Sequence, residues 1–167
     1  MGPLAALVNN AGAVGEQAHI DEQHEDALTR LMQVNVVGPM LCAKHAVRAM
    51  STAHGGKGGS IVTIAGVLAK APPGDWGMVP VEATKGALVT FARGLSNEVA
   101  SEGIRSNSVS PGVIETAMAT PAIQDMGKQS PLGRIGQPDE IAATVSWLIS
   151  PEASYVAGTD IAVTGGL

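Results

Sequence analysis

The amino-acid sequence predicts an α/β protein, with a parallel sheet of about four strands and helices packed on both of its faces. Short apolar runs that end in Asn, Gly or Pro alternate along the chain with long amphipathic patterns of helical period. This alternation is typical of strand–helix–strand crossovers in parallel sheets. The 167 residues, 45% of them hydrophobic, suit one domain with a substantial core. We therefore expect residues 1–167 to form a single domain.

Composition excludes several classes of function. The net charge is −5, and no cluster of Lys and Arg is present to neutralise phosphates, so neither a nucleic acid nor an anionic membrane is expected as a partner. Cys42 is the single cysteine and cannot form an internal disulfide, and no Cys/His spacing resembles a metal site. The sequence shows no signal-peptide pattern and no apolar run long enough to span a membrane. We expect a cytoplasmic protein.

The first half of the chain predicts a strand, a long helix and a second strand. The apolar run 4–8 predicts a buried strand that ends in a turn at Asn9. A helical pattern then begins near Asp21, and Gly38-Pro39 predicts a kink just after Asn35. Asn35 falls on the apolar face, where its amide must find hydrogen-bond partners. Residues 53–59 predict a flexible loop and residues 59–66 the second strand. The predicted inward positions of the long helix are Leu28, Leu31, Met32, Val36, Leu41, Cys42, Val47 and Met50.

The second half repeats this alternation. Residues 68–77 predict a loop, followed by a helix that ends near Gly103, whose left-handed conformation would cap it. Residues 104–110 predict the third strand, residues 116–130 a loop or short helix of the kind that closes over a ligand, and 155–163 the last strand. Pro138 predicts the first position of the final helix. The inward stripe of the helix before Gly103 comprises Ala83, Ala87, Leu88, Phe91, Ala92, Leu95 and Val99.

Polar residues and turns gather where the predicted strands end. Asn9–Gly12, residues 65–66 and Pro111-Gly112 each follow a strand, and parallel strands bring these ends to one edge, where ligands bind. Lys85 lies at the start of a helix beside this edge. It could aim its ammonium into the resulting cleft, or it could extend to solvent from the side of the helix.

These residues together resemble the short-chain dehydrogenase/reductase family. The matching pieces are Asn9-Asn10-Ala11-Gly12, Asn35, Gly59-Ser60-Ile61-Val62, Lys85-Gly86, Gly103-Ile104-Arg105-Ser106-Asn107, Pro111-Gly112 with Thr116, Gly133-Arg134-Ile135-Gly136-Gln137-Pro138, and Ser154-Tyr155-Val156-Ala157-Gly158. The resemblance covers essentially the whole chain. It implies a Rossmann-type sheet and hydride transfer between NAD or NADP and an alcohol or carbonyl group of a small-molecule substrate.

The resemblance also implies roles for individual residues. Lys85 would bind the nicotinamide ribose and lower the pKa of a Tyr one turn earlier, and Asn35 would hold a water in a proton relay. The cofactor-binding positions would be Asn9, Ala11, Gly12, Lys85, Pro111, Gly112, Val113 and Thr116. Structural alternatives remain open, because Asn9 and Asn10 also suit turns, Gly112 a backbone constraint, and Asn35 a helix kink.

Two catalytic residues of the family are replaced in this sequence. The Tyr position, four residues before Lys85, is Val81, and the Ser position after the middle strand is Gly66. A phenol can be tuned into a general acid, whereas valine has no proton to give. Glu82, Thr84 and Asp75 are nearby, but none combines the right position with the right pKa. We expect an inactive or severely impaired oxidoreductase.

No glycine-rich, pyrophosphate-binding turn precedes Asn9, so the first mononucleotide-binding half of the family's fold is expected to be absent. The product of a truncated gene is one interpretation, and the first strand would then leave an edge exposed. A non-catalytic scaffold or homo-oligomer is the alternative, with Val89, Arg93, Ser96 and residues 155–163 as the subunit face. A small-ligand module built on Asn9, Lys85 and Thr116 is a third possibility.

Overall fold

The sheet has four parallel strands, as the sequence predicts. The computed structural model describes residues 3–66, 77–116, 125 and 127–167. The strands stand in chain order, β1-β2-β3-β4. They are β1 (Ala6–Asn9), β2 (Gly59–Ile64), β3 (Ile104–Pro111) and β4 (Asp160–Val163).

Four α-helices whose bounds lie within the described residues connect or follow these strands. They are α1 (Glu25–Met32), α2 (Gly38–Met50), α3 (Val79–Val99) and α4 (Pro138–Ile149). A π-helical turn, Gln33–Val37, joins α1 to α2 without a break. Short 3₁₀ turns lie at Ile20–Glu22, Thr52–His54, Ala100–Glu102 and Pro151–Ala153.

The helices cover both faces of the sheet, which gives two hydrophobic clusters. On one face α2 and α3 pack over the sheet, and the cluster comprises Ala43, Ala46, Met50, Ile61, Val99 and Ile104. On the other face α4 packs over β2 and β3, and the cluster comprises Val62, Val109, Leu148 and Ala153. Ile61 and Val62 belong to different clusters because neighbouring strand residues point to opposite faces. The two central strands are therefore buried on both sides, which explains the apolar, β-branched run of β2, whereas β3 buries several polar side chains.

A π-helical turn lies where the kink was expected, just after Asn35. The backbone N–H of Gly38 donates to the carbonyl of Gln33, five residues earlier, so the helix accommodates one extra residue. Pro39 follows in the first turn of α2, where it has no N–H to continue the backbone hydrogen bonding of the π-helical turn.

The extra residue also changes which side chains face the core. Residues after the turn are rotated by about one helical position relative to an uninterrupted α-helix. Leu41 and Cys42, predicted to point inward, are exposed, whereas Ala43 and Ala46 are buried. The prediction for Met32 was also wrong, since it too is exposed.

The last strand is shorter than predicted because side chains of β3 hold the chain before it in a turn. Arg105 and Asn107 both donate to the carbonyl oxygen of Val156, at 3.2 and 2.9 Å. Asn107 Oδ1 accepts from the backbone N–H of Thr159 at 3.1 Å. Residues 155–159 therefore form no strand, and β4 begins at Asp160.

The remaining predictions about element boundaries and inward-facing residues are confirmed in part. The third strand and the last helix begin where predicted, at Ile104 and Pro138, and Gly103 adopts the left-handed conformation with φ +78°. Ala83, predicted to face inward, is exposed. Most of the predicted loop 68–77 and more than half of the predicted 116–130 segment lie outside the described residues.

Among the described residues, β1 pairs with β2 alone, so its other edge carries unpaired backbone groups. Val8 is 41% exposed, because α4 does not extend over β1. None of the described helices combines the length and the apolar character that crossing a bilayer requires.

Candidate functional site

The site begins with Lys85, which turns inward from α3. Pro80 lies in the first turn of the helix and fixes its start beside the carboxyl ends of the strands. The ammonium of Lys85 donates to the carbonyl oxygen of Ile64, the last residue of β2, at 3.2 Å. Burial lowers the pKa of Lys85 below its ordinary value. The alternative that this side chain extends to solvent is therefore wrong.

Asn35 joins this cluster from the π-helical turn and is almost fully buried, with 1% of its surface exposed. Its Oδ1 accepts from the backbone N–H of Ala13, and its Nδ2 donates to the carbonyl of Ala13, both at 2.8 Å. Nδ2 also donates to Thr84 Oγ1 at 3.0 Å. Both amide hydrogens are thus engaged within the protein, and the proton-relay role stays a prediction.

Two glycines leave open space around Lys85. A Cβ on Gly12 would lie 3.7 Å from Lys85 Nζ and 3.6 Å from Asn35 Oδ1. A Cβ on Gly66 would lie 3.6 Å from Lys85 Cγ. These are ordinary contact distances, so a side chain at either position would occupy space beside the lysine without a clash. The structure therefore brings Gly12, Asn35, Gly66 and Lys85 together, as the sequence predicts.

The residues around the missing Tyr position are apolar or already hydrogen-bonded. Val81 lies one helical turn before Lys85 and is 3% exposed. Thr84 is fully buried, and its hydroxyl donates to the carbonyl of Val81 at 2.7 Å while accepting from Asn35. Thr84 therefore has no free proton to offer a ligand. Asp75, another considered substitute, lies outside the described residues.

Asn9 and Ala11 differ in their surroundings. Asn9 is buried, and its amide makes long contacts to the carbonyl of Pro39 at 3.4 Å and to Thr63 Oγ1 at 3.5 Å. Its side chain thus braces the end of β1 against α2 and β2. Ala11 is exposed beside Gly12. Of these residues, Ala11 and Gly12 are the ones open to a ligand.

The segment after β3 lies against the end of β4. Gly112 donates its N–H to the carbonyl of Val163 at 2.9 Å, and a Cβ on Gly112 would come within 2.8 Å of the Thr164 backbone. Glycine is therefore required at position 112 because the two backbones approach closely. This agrees with the alternative interpretation of Gly112 as a backbone constraint. Pro111 and Val113 are half-buried, and Thr116 is exposed.

Gly136 also holds the segment after β3 in place, through two backbone hydrogen bonds. Its N–H donates to the carbonyl of Val113, and its carbonyl accepts from the N–H of Glu115, each at 2.9 Å. A Cβ on Gly136 would come within 2.6 Å of Ile114 Cδ1, so no larger residue fits without displacement. This parallel bridge orients the residues that the resemblance assigns to the nicotinamide end.

A surface ion pair stabilises the same region. Both nitrogens of the Arg134 guanidinium donate to Glu140, at 2.8 and 2.6 Å, and the N–H of Gln137 donates to Glu140 Oε2 at 2.8 Å. The hydrogen bonds from Arg134 and then from the Gln137 backbone lower the pKa of Glu140 to about 2. Gln137 Nε2 also donates to Glu115 Oε2 at 2.7 Å, which links the start of α4 to the segment after β3.

The sequence did not predict the contacts that Ala13, Thr84 and Gly136 make at the site, although Thr84 was considered as a substitute acid and Gly136 lies in a matching motif. Thr84 carried a usable signal, since it is a polar residue close to the apolar stripe of α3, like Asn35 on its own helix. Ala13 acts through its backbone N–H and C=O, so its residue type gives no indication of this role. Among the described residues, no group of three or more His, Cys, Asp or Glu side chains is placed to bind a metal ion.

Comparisons with known proteins identify the family of this chain. The family profile described as Enoyl-(Acyl carrier protein) reductase, adh_short_C2, matches residues 1–167. The uncharacterized oxidoreductase YgfF of Escherichia coli is 42% identical over 170 residues, which cover 98% of this chain and 68% of that protein. The chain belongs to the short-chain dehydrogenase/reductase family. A glucose and ribitol dehydrogenase homolog of Oryza sativa is 37% identical over 174 residues, covering 99% of this chain and 57% of the relative.

Solved structures of short-chain dehydrogenases/reductases share the fold. An enzyme of this family from Serratia marcescens superposes with a TM-score of 0.87 at 30% identity, covering 99% of this chain and 66% of that one. A double mutant from the same organism gives a TM-score of 0.88, also at 30% identity and with the same coverage. The chain thus spans 57–68% of the length of these relatives.

The nicotinamide cofactors that this family generally uses can be tested against the residues present. The space at Gly12, next to the Lys85 ammonium, suits the ribose hydroxyls at the nicotinamide end, because an ammonium has three donors and the bond to Ile64 uses one. The pyrophosphate end is different, since the sequence contains no glycine-rich turn of the G-x-G-x-x-G type. The residues present therefore fit one end of the cofactor.

Proposed function

We propose that this chain keeps the nicotinamide end of an NAD(P)-dependent oxidoreductase cleft for alcohols and carbonyl compounds but does not itself turn over substrate. One observation carries the proposal. Val81 stands one turn before Lys85, where the family's proton donor would be, and it is buried without any titratable atom. Gly66 likewise replaces the serine that would bind the substrate oxygen.

The chemistry explains why these two positions matter. The bound cofactor would supply a hydride to the carbonyl carbon, and the oxygen then requires a proton as its negative charge develops. Lys85 can bind ribose hydroxyls, but its ammonium has no phenol to influence at position 81. Thr84 already donates its hydroxyl proton to the Val81 carbonyl. Neither residue supplies the missing acid.

The positions that would hold NAD or NADP are the exposed backbone at Ala11 and Gly12, the Lys85 ammonium, and the segment from Pro111 to Thr116. The bridge from Gly136 supports this assignment, because it fixes the segment after β3 independently of any ligand. The choice between NAD and NADP depends on residues at the adenosine end, which the sequence does not contain in recognisable form.

The test measures oxidation of NADH and NADPH by the purified protein with a panel of aldehydes and ketones. We expect no turnover above the protein-free rate. Turnover that Lys85→Ala abolishes would show that another group replaces the Tyr and would contradict the proposal.

A double variant tests whether the missing acid or the missing pyrophosphate-binding turn causes the expected inactivity. Val81→Tyr combined with Gly66→Ser restores both side chains, and a serine at position 66 meets only ordinary contacts with Lys85. We expect this double variant to stay inactive and to bind NADH no more tightly than nicotinamide riboside in calorimetry. Activity of the double variant would show that the two side chains were the sole deficiency.

Subunit pairing is a second candidate role, and an exposed aromatic residue favours it. Tyr155 is fully exposed, and Arg93 on α3 is exposed as well. Ser96, also assigned to this face, is only 3% exposed and therefore contributes little contact surface. A fully exposed tyrosine is the kind of residue that a homo-oligomer interface buries.

Size-exclusion chromatography with light scattering tests the pairing role. We expect a dimer that Tyr155→Ser converts largely to monomer. The matched control is Ile20→Ser, which removes another exposed apolar side chain, on the turn Ile20–Glu22 outside this face. A monomeric starting protein, or equal effects of the two substitutions, would contradict it.

A further inference from the structure

Lys85 is a partly buried amine that has no acidic partner among the described residues. Its Nζ has one hydrogen bond, to the backbone carbonyl of Ile64 at 3.2 Å. The ion pairs of the described chain, at Glu16, Asp21, Asp125 and Glu140, do not involve it. Burial therefore disfavours the charged form of this side chain without a compensating carboxylate.

Two glycines among the described residues make the same amine approachable. Gly12 is exposed, and the space where its Cβ would stand lies 3.7 Å from Nζ. The stem of Lys85 passes Gly66, where a Cβ would lie 3.6 to 3.9 Å from Cγ, Cδ and Cε. The nitrogen is thus held by one backbone bond beside Gly12, while the stem of the side chain passes Gly66.

We infer that Lys85 captures small aldehydes and unhindered ketones as a reversible imine, in the space beside Gly12. This activity goes beyond the proposed function, since it requires neither a nicotinamide cofactor nor the absent proton donor. A desolvated lysine is a nucleophile near neutral pH because more of it is uncharged. The glycines restrict the ligand to a carbonyl carbon with small substituents.

The reaction balances without an oxidant or reductant. The lone pair of neutral Nζ attacks the carbonyl carbon, the C–N bond forms, and the π electrons of C=O pass to oxygen. A proton moves from nitrogen to that oxygen through water and gives a carbinolamine. The C–O bond then breaks as the nitrogen lone pair forms C=N, and the hydroxyl group takes a proton from solvent and leaves as water, so that the imine is formed in its protonated state. A protonated imine keeps one N–H, which can still donate to the Ile64 carbonyl.

The test traps the imine in the 167-residue protein. The protein is incubated with propanal and cyanoborohydride at neutral pH, and propylation of each lysine is followed by peptide mass spectrometry. Lys57 and Lys128, both exposed, are internal controls. Because the lowered pKa of Lys85 raises the uncharged fraction of its amine, we expect Lys85 to react several-fold faster than these controls. Equal or slower reaction at Lys85 would overturn the inference.

The variant Gly12→Ala tests whether carbonyl compounds reach Lys85 through the space beside Gly12. The added methyl group would stand beside Nζ without a clash, so the variant should fold, which circular dichroism checks. We expect propylation of Lys85 to fall several-fold while that of Lys57 is unchanged. An unchanged rate at Lys85 would show that carbonyl compounds do not enter beside Gly12. The result is independent of any NAD(P)H assay, so failure here leaves the proposed function standing.

Discussion

Gly58→Ala is expected to destabilise the protein far more than Gly55→Ala, although both residues lie in one short loop. Both have positive φ, +78° and +83°, so alanine at either position carries the cost of a left-handed backbone, about 1 kcal/mol. A Cβ on Gly58 would also come within 2.3 Å of the carbonyl oxygen of Gly103. A Cβ on Gly55 would meet no atom within 4 Å.

The clash at Gly58 involves backbone atoms, which cannot rotate away. Gly58 donates to the carbonyl of Met50 at 2.8 Å, and Gly59 donates to that of Gly103 at 3.0 Å. Relief would separate the starts of β2 and β3, so we expect a loss of roughly 3–4 kcal/mol for Gly58→Ala. Urea denaturation followed by circular dichroism measures both variants. Equal midpoints would show that the loop moves freely, as its sequence suggests.

Asn35→Ala is expected to cost about 2–4 kcal/mol, because the substitution leaves buried partners unpaired. The N–H and C=O of Ala13 both lose their bonds to the amide, and Thr84 loses its donor. The matched control is Asn97→Ala, an exposed position on α3, where the change should stay within about 0.5 kcal/mol.

The variant Asn35→Asp tests whether stability depends on the hydrogen bonds that the Asn35 amide donates or on the volume of the side chain. The carboxylate has nearly the same shape and can accept from the N–H of Ala13, but it cannot donate to the Ala13 carbonyl or to Thr84. We therefore expect Asn35→Asp to be destabilised about as much as Asn35→Ala in the same urea titration. Wild-type stability of Asn35→Asp at neutral pH would show that the amide donors contribute little.

The sequence predicts most of the fold and part of the site. An apolar, β-branched run places β2, which is buried on two faces. The alternation of apolar and polar residues before Pro111-Gly112 places β3. The capping signals at Gly103 and Pro138 place the end of one helix and the start of another. The sequence places Lys85 beside the edge of the sheet, because the strand ends next to it carry turns that parallel strands must bring together, but it leaves open whether the ammonium turns inward.

The remaining features depend on backbone geometry that residue types do not encode locally. The π-helical turn rotates α2 and exposes Leu41, which a regular period would bury. Asn9 looks the same in sequence whether its amide faces a ligand or braces Thr63. Gly136 acts by approaching Ile114, a neighbour that becomes visible only once the two segments are paired.

The order of strands in the sheet has a consequence for how the chain folds. Each strand pairs with the strand that precedes it in sequence, so no strand must insert between two that are already paired. β2 can dock on β1 once α1 and α2 have formed, and β3 and then β4 can each extend the same growing edge. A chain leaving the ribosome can therefore add the described strands in the order of synthesis, each to the edge that the preceding strand leaves open.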